Sequence, residues 1–250
     1  MSKVGETKIN SFGSKMTIIE YRKYNDIDVY FPEYNWIFKH ANYQNFRNGK
    51  IKCVYEPRVY GIGYLGEGKY KASENNKSTK VHYIWVQMLR RCYDKNLHTK
   101  CPTYIDCTVC DEWHNFQNFA EWYEENYYEI DNEIMNLDKD ILTKGNKIYS
   151  PDTCVFVPQS INVLFTKNDA KRGNFPIGIY YNKRCKKYVA QCKIYGKEMF
   201  LGYYNTPEEA FQAYKQYKEE HIKKIADNYI NFIPENLYNA MISYEINYND

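Results

Sequence analysis

The spacing of apolar residues changes along the chain, and its first stretch has the pattern of short strands. Between residues 15 and 70, segments such as "KMTIIEYR" and "DIDVYF" are rich in β-branched and aromatic residues and are separated by short polar breaks. Gly-marked turns in "GIGYLGEGKY" end this stretch. The pattern predicts a small β-rich module over residues 1–70, followed by a polar linker over 71–80.

The middle of the chain changes from helical to strand-like spacing. Residues 81–95 and 111–128 repeat apolar residues at helical intervals, which predicts two amphipathic helices. The apolar runs "MNLD" and "TCVFVP" are too short for helices, and "PQSIN" opens another helical pattern. Residues 136–165 are therefore predicted to form a strand, a loop, a second strand and a helix.

Three short strands and a long helix are predicted towards the end of the chain. The stretch "IGIYYNKRCKKYVAQCKIYGKEMFLGYY" holds three apolar runs that are split by "NKRCKK" and "YGK". In the helix that follows, Thr206 is the expected N-cap, Pro207 the first helical residue, and Glu209 the partner in a capping box. A final short helix is expected to begin at Pro234.

Together these elements predict an α+β fold made of successive modules. A small β module comes first, a central domain with two strands and a helix follows, and a three-stranded antiparallel sheet backed by a helix comes next. The predicted boundaries are 1–70 for the β module, 81–166 for the central domain with its flanking helices, 175–228 for the sheet and its helix, and 229–250 for a short helix and tail.

Charge is distributed unevenly, although the formal net charge is only +3. Residues 111–140 hold ten acidic residues and one basic residue, whereas residues 167–197 hold nine basic residues and one acidic residue. A localised basic region of this kind is typical of a surface that binds phosphate. The expected partner is therefore a nucleic acid, either DNA or structured RNA.

Targeting signals and cysteines bear on the location of the protein. The opening "MSKVGETKINSF" lacks the apolar segment of a signal peptide, and no apolar run is long enough to span a bilayer. A cytoplasmic protein with no membrane partner is expected, and its eight cysteines are expected to be reduced. Cys107 and Cys110 have the spacing of zinc ligands, but no second such pair exists to complete a site.

The predicted strand–loop–strand–helix segment has residues suited to a divalent cation. Asp138 ends the first strand and Asn162 lies on the following helix, so both could offer oxygen ligands to Mg²⁺. In a metal-dependent phosphodiesterase such an ion activates water and stabilises the leaving oxygen. The spacing predicts that Asp138 and Asn162 approach each other in the fold.

The motif "LDKDI…GN..YSPDTCVFVPQSIN", with "YIWVQMLRRCYD" upstream, resembles the phage HNH homing endonucleases, which have a ββα-metal fold. The resemblance extends from Tyr83 to Asn162. It implies that Asp138 and Asn162 hold the metal and that Asn146 braces the loop. The family's catalytic base is a histidine after the metal-binding aspartate, and Lys139 stands there in this chain. A histidine elsewhere could replace that base, and the candidates are His82, His98 and His114.

The stretch "GIYYNKRCKKYVAQCKIYGKEMFLGYYNTPEEAFQAY" resembles the plant ethylene-response-factor DNA-binding domain, in which a three-stranded sheet lies in a DNA groove. Glu198 stands where that domain has a basic contact, so phosphate binding is favoured over base readout. The resemblance implies that the groove-facing residues are Tyr180, Asn182, Arg184, Gln191, Lys193 and Phe200. The nearby cations Lys171, Arg172, Lys186 and Lys187 are expected to add contacts with phosphates.

Several functions remain open at this point. The favoured prediction is a nucleic-acid-binding protein derived from an HNH endonuclease, because a lysine is protonated at neutral pH and cannot accept a proton. One alternative is an active Mg²⁺-dependent homing or nicking endonuclease. Another is a catalytically inactive DNA- or RNA-binding inhibitor of host defence, of the anti-CRISPR type, whose partner would be a host defence complex. A purely structural interaction module is the least favoured alternative.

Overall fold

A computed structural model of the protein describes residues 3–166, 175–194 and 196–250. The strands are β1 (Thr7–Ile9), β2 (Lys15–Lys23), β3 (Asp26–Phe31), β4 (Trp36–Ala41), β5 (Ser73–Glu74), β6 (Lys77–Ser78), β7 (Thr108–Val109), β8 (Met135–Asp138), β9 (Ile148–Tyr149), β10 (Val155–Pro158), β11 (Ile179–Asn182), β12 (Lys187–Ile194) and β13 (Lys197–Tyr204). The helices are α1 (Tyr43–Arg47), α2 (Lys80–Tyr93), α3 (Lys95–His98), α4 (Phe116–Asn126), α5 (Gln159–Phe165), α6 (Pro207–Tyr229) and α7 (Glu235–Ile242). The fold is α+β, as the sequence predicts.

The chain divides into two compact units. The first unit contains Met1–Tyr127 and Lys147–Asp152, and the second contains Tyr128–Asn146 and Thr153–Asp250. This division differs from the predicted boundaries, because the segment 81–166 is shared between the units and the segments 175–228 and 229–250 lie in one unit. No helix in the described ranges is long and apolar enough to cross a membrane.

The first unit begins with an antiparallel sheet in the order β1-β2-β3-β4. Alternate residues on β2 and β3, such as Ile18 and Val29, are fully buried and form a core with Phe46 from α1. Further along the unit, the indole of Trp85 on α2 donates a hydrogen bond to the carbonyl of Trp113 at 2.7 Å. The second predicted helix is shorter than expected, because Asp111–His114 forms a 3₁₀ turn before α4 begins.

In the second unit, β8 and β10 form an antiparallel pair in which Asp138 lies opposite Val155. Helix α5 follows β10 directly and buries Ile161 against the core of this unit. Strand, loop, strand and helix thus occur in the predicted order. The residues between the strands include β9, which belongs to the first unit and pairs there in parallel with β7.

The second unit also contains the antiparallel sheet β11-β12-β13 and the helix α6, which packs on one face of that sheet. The Oγ1 atom of Thr206 accepts a hydrogen bond from the amide of Glu209 at 3.2 Å, so Thr206 is the N-cap as predicted. The Glu209 carboxylate reaches one residue further back than in a standard capping box, to the amide of Asn205 at 3.1 Å. Gly178 allows close packing here, since a Cβ atom would lie 2.3 Å from the Tyr214 ring.

Helix α6 joins two apolar cores of the second unit. Its first half, including Phe211, shares a core with the sheet, and its second half, including Ile222 and Ile225, shares a core with β10. Helix α7 adds Leu237 and Met241 to that second core. The strand pair, the sheet and both helices therefore belong to one compact unit with two apolar cores.

Candidate nucleic-acid interface

The register of the C-terminal sheet divides its side chains between two faces. Ala190 and Cys192 on β12 belong to the core beneath α6, so the residues that alternate with them point away from that helix. Residues directly opposite each other on paired strands lie on the same face. We name the face away from α6 the outer face, and the register assigns to it Tyr180, Asn182, Lys187, Val189, Gln191, Lys193, Glu198, Phe200 and Tyr203.

Five of the six groove-facing residues expected from the resemblance lie on the outer face. They come from all three strands. Strand β11 supplies two of them, β12 supplies two, and β13 supplies one. They are Tyr180, Asn182, Gln191, Lys193 and Phe200. The sixth, Arg184, lies in the turn between β11 and β12.

Tyr203 is a member of the outer face that the sequence did not indicate. Strict alternation along β13 places Phe200 and Tyr203 on opposite faces. A register shift between Ala190 and Gln191 lets β13 carry one additional residue, which returns Tyr203 to the face of Phe200. Their ring centroids are 5.0 Å apart. The glycine at 202, inside the apolar second half of the strand, was the available signal for such a bulge.

The turn between β11 and β12 exposes a group of cations. The Oδ1 atom of Asn182 accepts hydrogen bonds from the amides of Arg184 at 3.0 Å and Cys185 at 3.4 Å. These bonds fix the turn, in which Lys186 has a positive φ of 55°. The side chains of Lys183, Arg184 and Lys186 are exposed. The amide nitrogen of Asn182, and not its carbonyl oxygen, is the end that can serve a ligand.

The other predicted phosphate contacts carry less available positive charge than the turn. The ammonium of Lys187 donates a hydrogen bond to the side-chain oxygen of Asn205, so this lysine is engaged within the unit. Lys193 lies opposite Glu198 in the register, which lowers the positive charge at that position. Lys171 and Arg172 lie outside the described residues. The exposed positive charge of the described sheet is therefore greatest at the turn.

Asp138, the predicted metal ligand, is half-buried and accepts hydrogen bonds from the backbone. Its Oδ1 atom accepts hydrogen bonds from the amides of Asp140 at 2.9 Å and Ile141 at 2.8 Å. Burial, followed by repulsion from Asp140, raises the pKa of the Asp138 carboxyl group above its usual value. Both hydrogen bonds are made by Oδ1, so a metal ion at Asp138 would have to share that oxygen with two amides or bind Oδ2.

Lys139, at the expected position of the catalytic base, holds the loop closed. Its side chain is almost fully buried, and the ammonium donates hydrogen bonds to the carbonyl of Asn146 at 2.9 Å and to the carboxylate of Asp140 at 3.2 Å. In return, the Asn146 amide donates to the carbonyl of Lys139 at 2.6 Å. Asn146 thus braces the loop as the resemblance implies, and Lys139 is a positioning residue for the same loop.

Asn162, the second predicted metal ligand, lies half-buried on α5, one residue after the core residue Ile161. Its carbonyl accepts a hydrogen bond from the hydroxyl of Thr166 at 3.3 Å. The approach of Asn162 to Asp138 remains a prediction. Among the described residues, Asp138 belongs to no group of three histidine, cysteine or acidic side chains that could hold a metal ion.

The histidines that could replace the catalytic base lie in the first unit and contact neighbours there. An imidazole nitrogen of His98 lies 2.9 Å from the carbonyl of Arg91, and one of His114 lies 3.2 Å from the carbonyl of Val109. His82 packs beside Trp85, and burial lowers its pKa. These contacts are those of packing residues.

A group of side chains compatible with a metal ion is present in the first unit instead. Asp26, Asp28 and His40 place ligand atoms within 4.8 Å of one another, and theirs is the one such group of three among the described residues. Nothing in this group selects Mg²⁺, since imidazole favours transition metals. The guanidinium of Arg22 already donates to Asp26 at 2.8 Å and also to Asp28. These bonds lower the pKa of Asp26 to about 2, and a metal would have to displace Arg22.

Comparison with known proteins does not assign a family: no family model matches the chain, and no curated protein or solved structure matches it either. The function therefore has to be inferred from the residues themselves.

Replacing Lys139 with methionine is expected to lower the free energy of unfolding by about 1–3 kcal/mol. The substitution keeps the apolar stem but removes the ammonium that donates to the partly buried carbonyl of Asn146, and a hydrogen bond from a charged donor is worth about that much. Urea denaturation of the two proteins measures the difference.

Lys147 provides a matched control, because its ammonium also donates to a backbone carbonyl, that of Thr103 at 3.1 Å, but from an exposed position. Lys147→Met is expected to change the unfolding free energy by less than about 0.5 kcal/mol. Equal effects of the two substitutions would contradict a special role for Lys139 in the loop.

Proposed function

We propose that this chain is a nucleic-acid-binding protein whose C-terminal sheet carries the interface and whose strand–loop–strand–helix segment does not cleave. The observation that carries the proposal is the outer face of the sheet. On that face, side chains from all three strands combine exposed aromatic rings with amide groups, next to a turn that exposes Lys183, Arg184 and Lys186.

Electrostatics support a polyanionic partner. The stretch 167–197 holds nine basic residues and one acidic residue, and the described part of it includes β11, β12 and the turn between them. Cations at exposed positions attract phosphates over about 8–10 Å at moderate ionic strength. The acidic stretch 111–140 contributes no residue to the sheet. A partner with clustered negative charge would therefore be attracted to the sheet and not to that stretch.

The contacts of the β8–β10 segment argue against catalysis. Cleavage of a phosphodiester requires a base that removes a proton from water, and a metal or cation that stabilises the leaving oxygen. Lys139 directs its ammonium at a loop carbonyl, and Asp138 directs one carboxylate oxygen at two amides. Both groups serve the loop, so the segment functions as scaffold in this proposal.

An active endonuclease is the second candidate. The order of strand, loop, strand and helix, with α5 following β10 directly, favours it, as does the resemblance of residues 83–162 to the HNH family. That resemblance concerns the framework of the segment. The identity of residue 139 and the contacts of Asp138 bear on the chemistry, and they favour binding over cleavage.

A salt titration tests the proposal. If about six cations neutralise phosphates, the logarithm of the association constant should fall with the logarithm of salt concentration at a slope of roughly −4 to −5. Fluorescence anisotropy with labelled oligonucleotides of mixed sequence measures the slope. Binding that does not depend on salt, or the absence of binding at low salt, would refute the proposal.

A further inference from the structure

The centre of the outer face is aromatic, and its cations lie towards the ends. Tyr180, Phe200 and Tyr203 are 42%, 58% and 56% exposed, which is high for aromatic side chains on a sheet. Val189, which lies between Tyr180 and Tyr203 in the register, is fully buried. The three rings therefore form one apolar patch across the three strands.

Cations flank this patch along the direction of β12. The turn with Lys183, Arg184 and Lys186 precedes the strand, whereas Lys193 and Lys197 lie near its other end. In the middle of the face, the polar side chain is that of Gln191, which is uncharged, and at the far end Glu198 lies opposite Lys193. Phosphates would thus be attracted most strongly to the turn, and apolar groups to the centre of the patch.

This arrangement does not suit the groove of a duplex. Base edges in a groove are read by side chains with several directed hydrogen-bond groups, such as arginine, asparagine and glutamine. On the outer face these groups are reduced to Gln191 and to the amide nitrogen of Asn182, whose carbonyl is bound in the turn. Exposed rings on a sheet instead match the faces of unstacked bases, which a duplex hides.

We propose that the ligand of the outer face is a single-stranded nucleic acid. Two or three successive bases stack on Tyr180, Phe200 and Tyr203, and the backbone phosphates meet the cations of the turn. This inference rests on the proposed function and specifies its substrate class. Because every base has an aromatic face, binding depends little on sequence.

Anisotropy titrations of the full chain with three probes test the inference. The probes are a short oligodeoxyuridine, an oligouridine of equal length and a hairpin duplex with the same number of phosphates. We expect both single strands to bind at least about ten-fold more tightly than the duplex, and the two single strands together show whether the sugar contributes.

Substitutions of the exposed rings measure how much stacking contributes to the affinity for single strands. Phe200→Ala and Tyr203→Ala should each weaken binding to the single strands about 5- to 100-fold, as expected for the loss of one stacked base, whereas Phe200→Tyr should stay within about two-fold. Phe232→Ala is the matched control, because Phe232 belongs to the same unit and is 60% exposed but lies outside the sheet. It should leave affinity unchanged.

The possible results separate this inference from the proposed function. Tighter binding to the duplex, with no effect of Phe200→Ala, would overturn single-strand recognition and leave nucleic-acid binding intact. Failure of all three probes to bind at low salt would overturn both. If the chain forms a dimer that Phe200→Ala dissociates without loss of affinity, the patch is a contact between copies, and the inference is also overturned.

Discussion

Replacing Arg184 and Lys186 together with glutamine is expected to weaken nucleic-acid binding about 10- to 100-fold at low salt. Both side chains are exposed in a turn that the Oδ1 atom of Asn182 holds in place. A charge-assisted hydrogen bond to phosphate is worth about 1.5–3 kcal/mol, part of which is lost to solvent screening at an exposed site. Removing two such contacts should also reduce the salt slope by about 2, since each contact contributes about 1.

A double substitution on α6 serves as the control for net charge. Lys223 and Lys224 are exposed on the helix that packs against the opposite face of the sheet, so Lys223→Gln with Lys224→Gln removes the same charge from a different surface. It should lower affinity by no more than about two-fold and leave the slope nearly unchanged. Equal losses for the two double variants would mean that overall charge, and not the turn, determines binding.

The outer face was largely predictable because strand alternation is a local property. Tyr180, Gln191 and Phe200 share a face once the strands pair in sequence order, and a resemblance that fixes the strand positions is enough to select them. Tyr203 could not be placed by that reasoning, since its side depends on a bulge. A bulge is a property of two paired strands, so the spacing of apolar residues along one strand does not reveal it.

The division of the chain into units was less predictable, for a related reason. The apolar spacing of α6 predicts which residues are buried but does not identify the elements that bury them. Phe211 and Ile222 lie on the same helix, yet one packs with the sheet and the other with β10. A helix of 23 residues is long enough to join two cores, and the spacing of its apolar residues does not show where one core ends and the next begins.

Lys139 shows the limit of inferring chemistry from a motif position. From the sequence, a lysine beside a candidate metal ligand could be a base with a lowered pKa or a phosphate contact. Its reciprocal hydrogen bonds with Asn146, seven residues away, indicate a structural role that the sequence did not suggest, because those bonds depend on how the loop closes. The loop-bracing role of Asn146 could be stated earlier because the resemblance implies it directly.

The full chain supplied with Mg²⁺ is expected to nick supercoiled plasmid DNA no faster than the variant Asp138→Asn. A positioned general base contributes about 10²- to 10⁴-fold to such reactions, and the protonated amine of a lysine cannot accept the proton. The amine of Lys139 is also bonded to the carbonyl of Asn146, so it cannot turn towards a water molecule without opening the loop. The substituted amide in Asp138→Asn would retain an oxygen that can accept from the amides of Asp140 and Ile141, which makes this variant a control that should keep the loop folded.

The variant Lys139→His then distinguishes a missing base from a missing metal site. An imidazole at residue 139 would occupy the same buried position, beside an aspartate whose Oδ1 atom accepts hydrogen bonds from two amides. We therefore expect Lys139→His to remain inactive with Mg²⁺ and to be less stable than the wild type. Nicking by Lys139→His that Asp138→Asn abolishes would show that only the base had been lost. Nicking by the wild type that Asp138→Asn abolishes would instead mean that the chain is an active endonuclease, because the carboxylate would then be needed for the reaction itself.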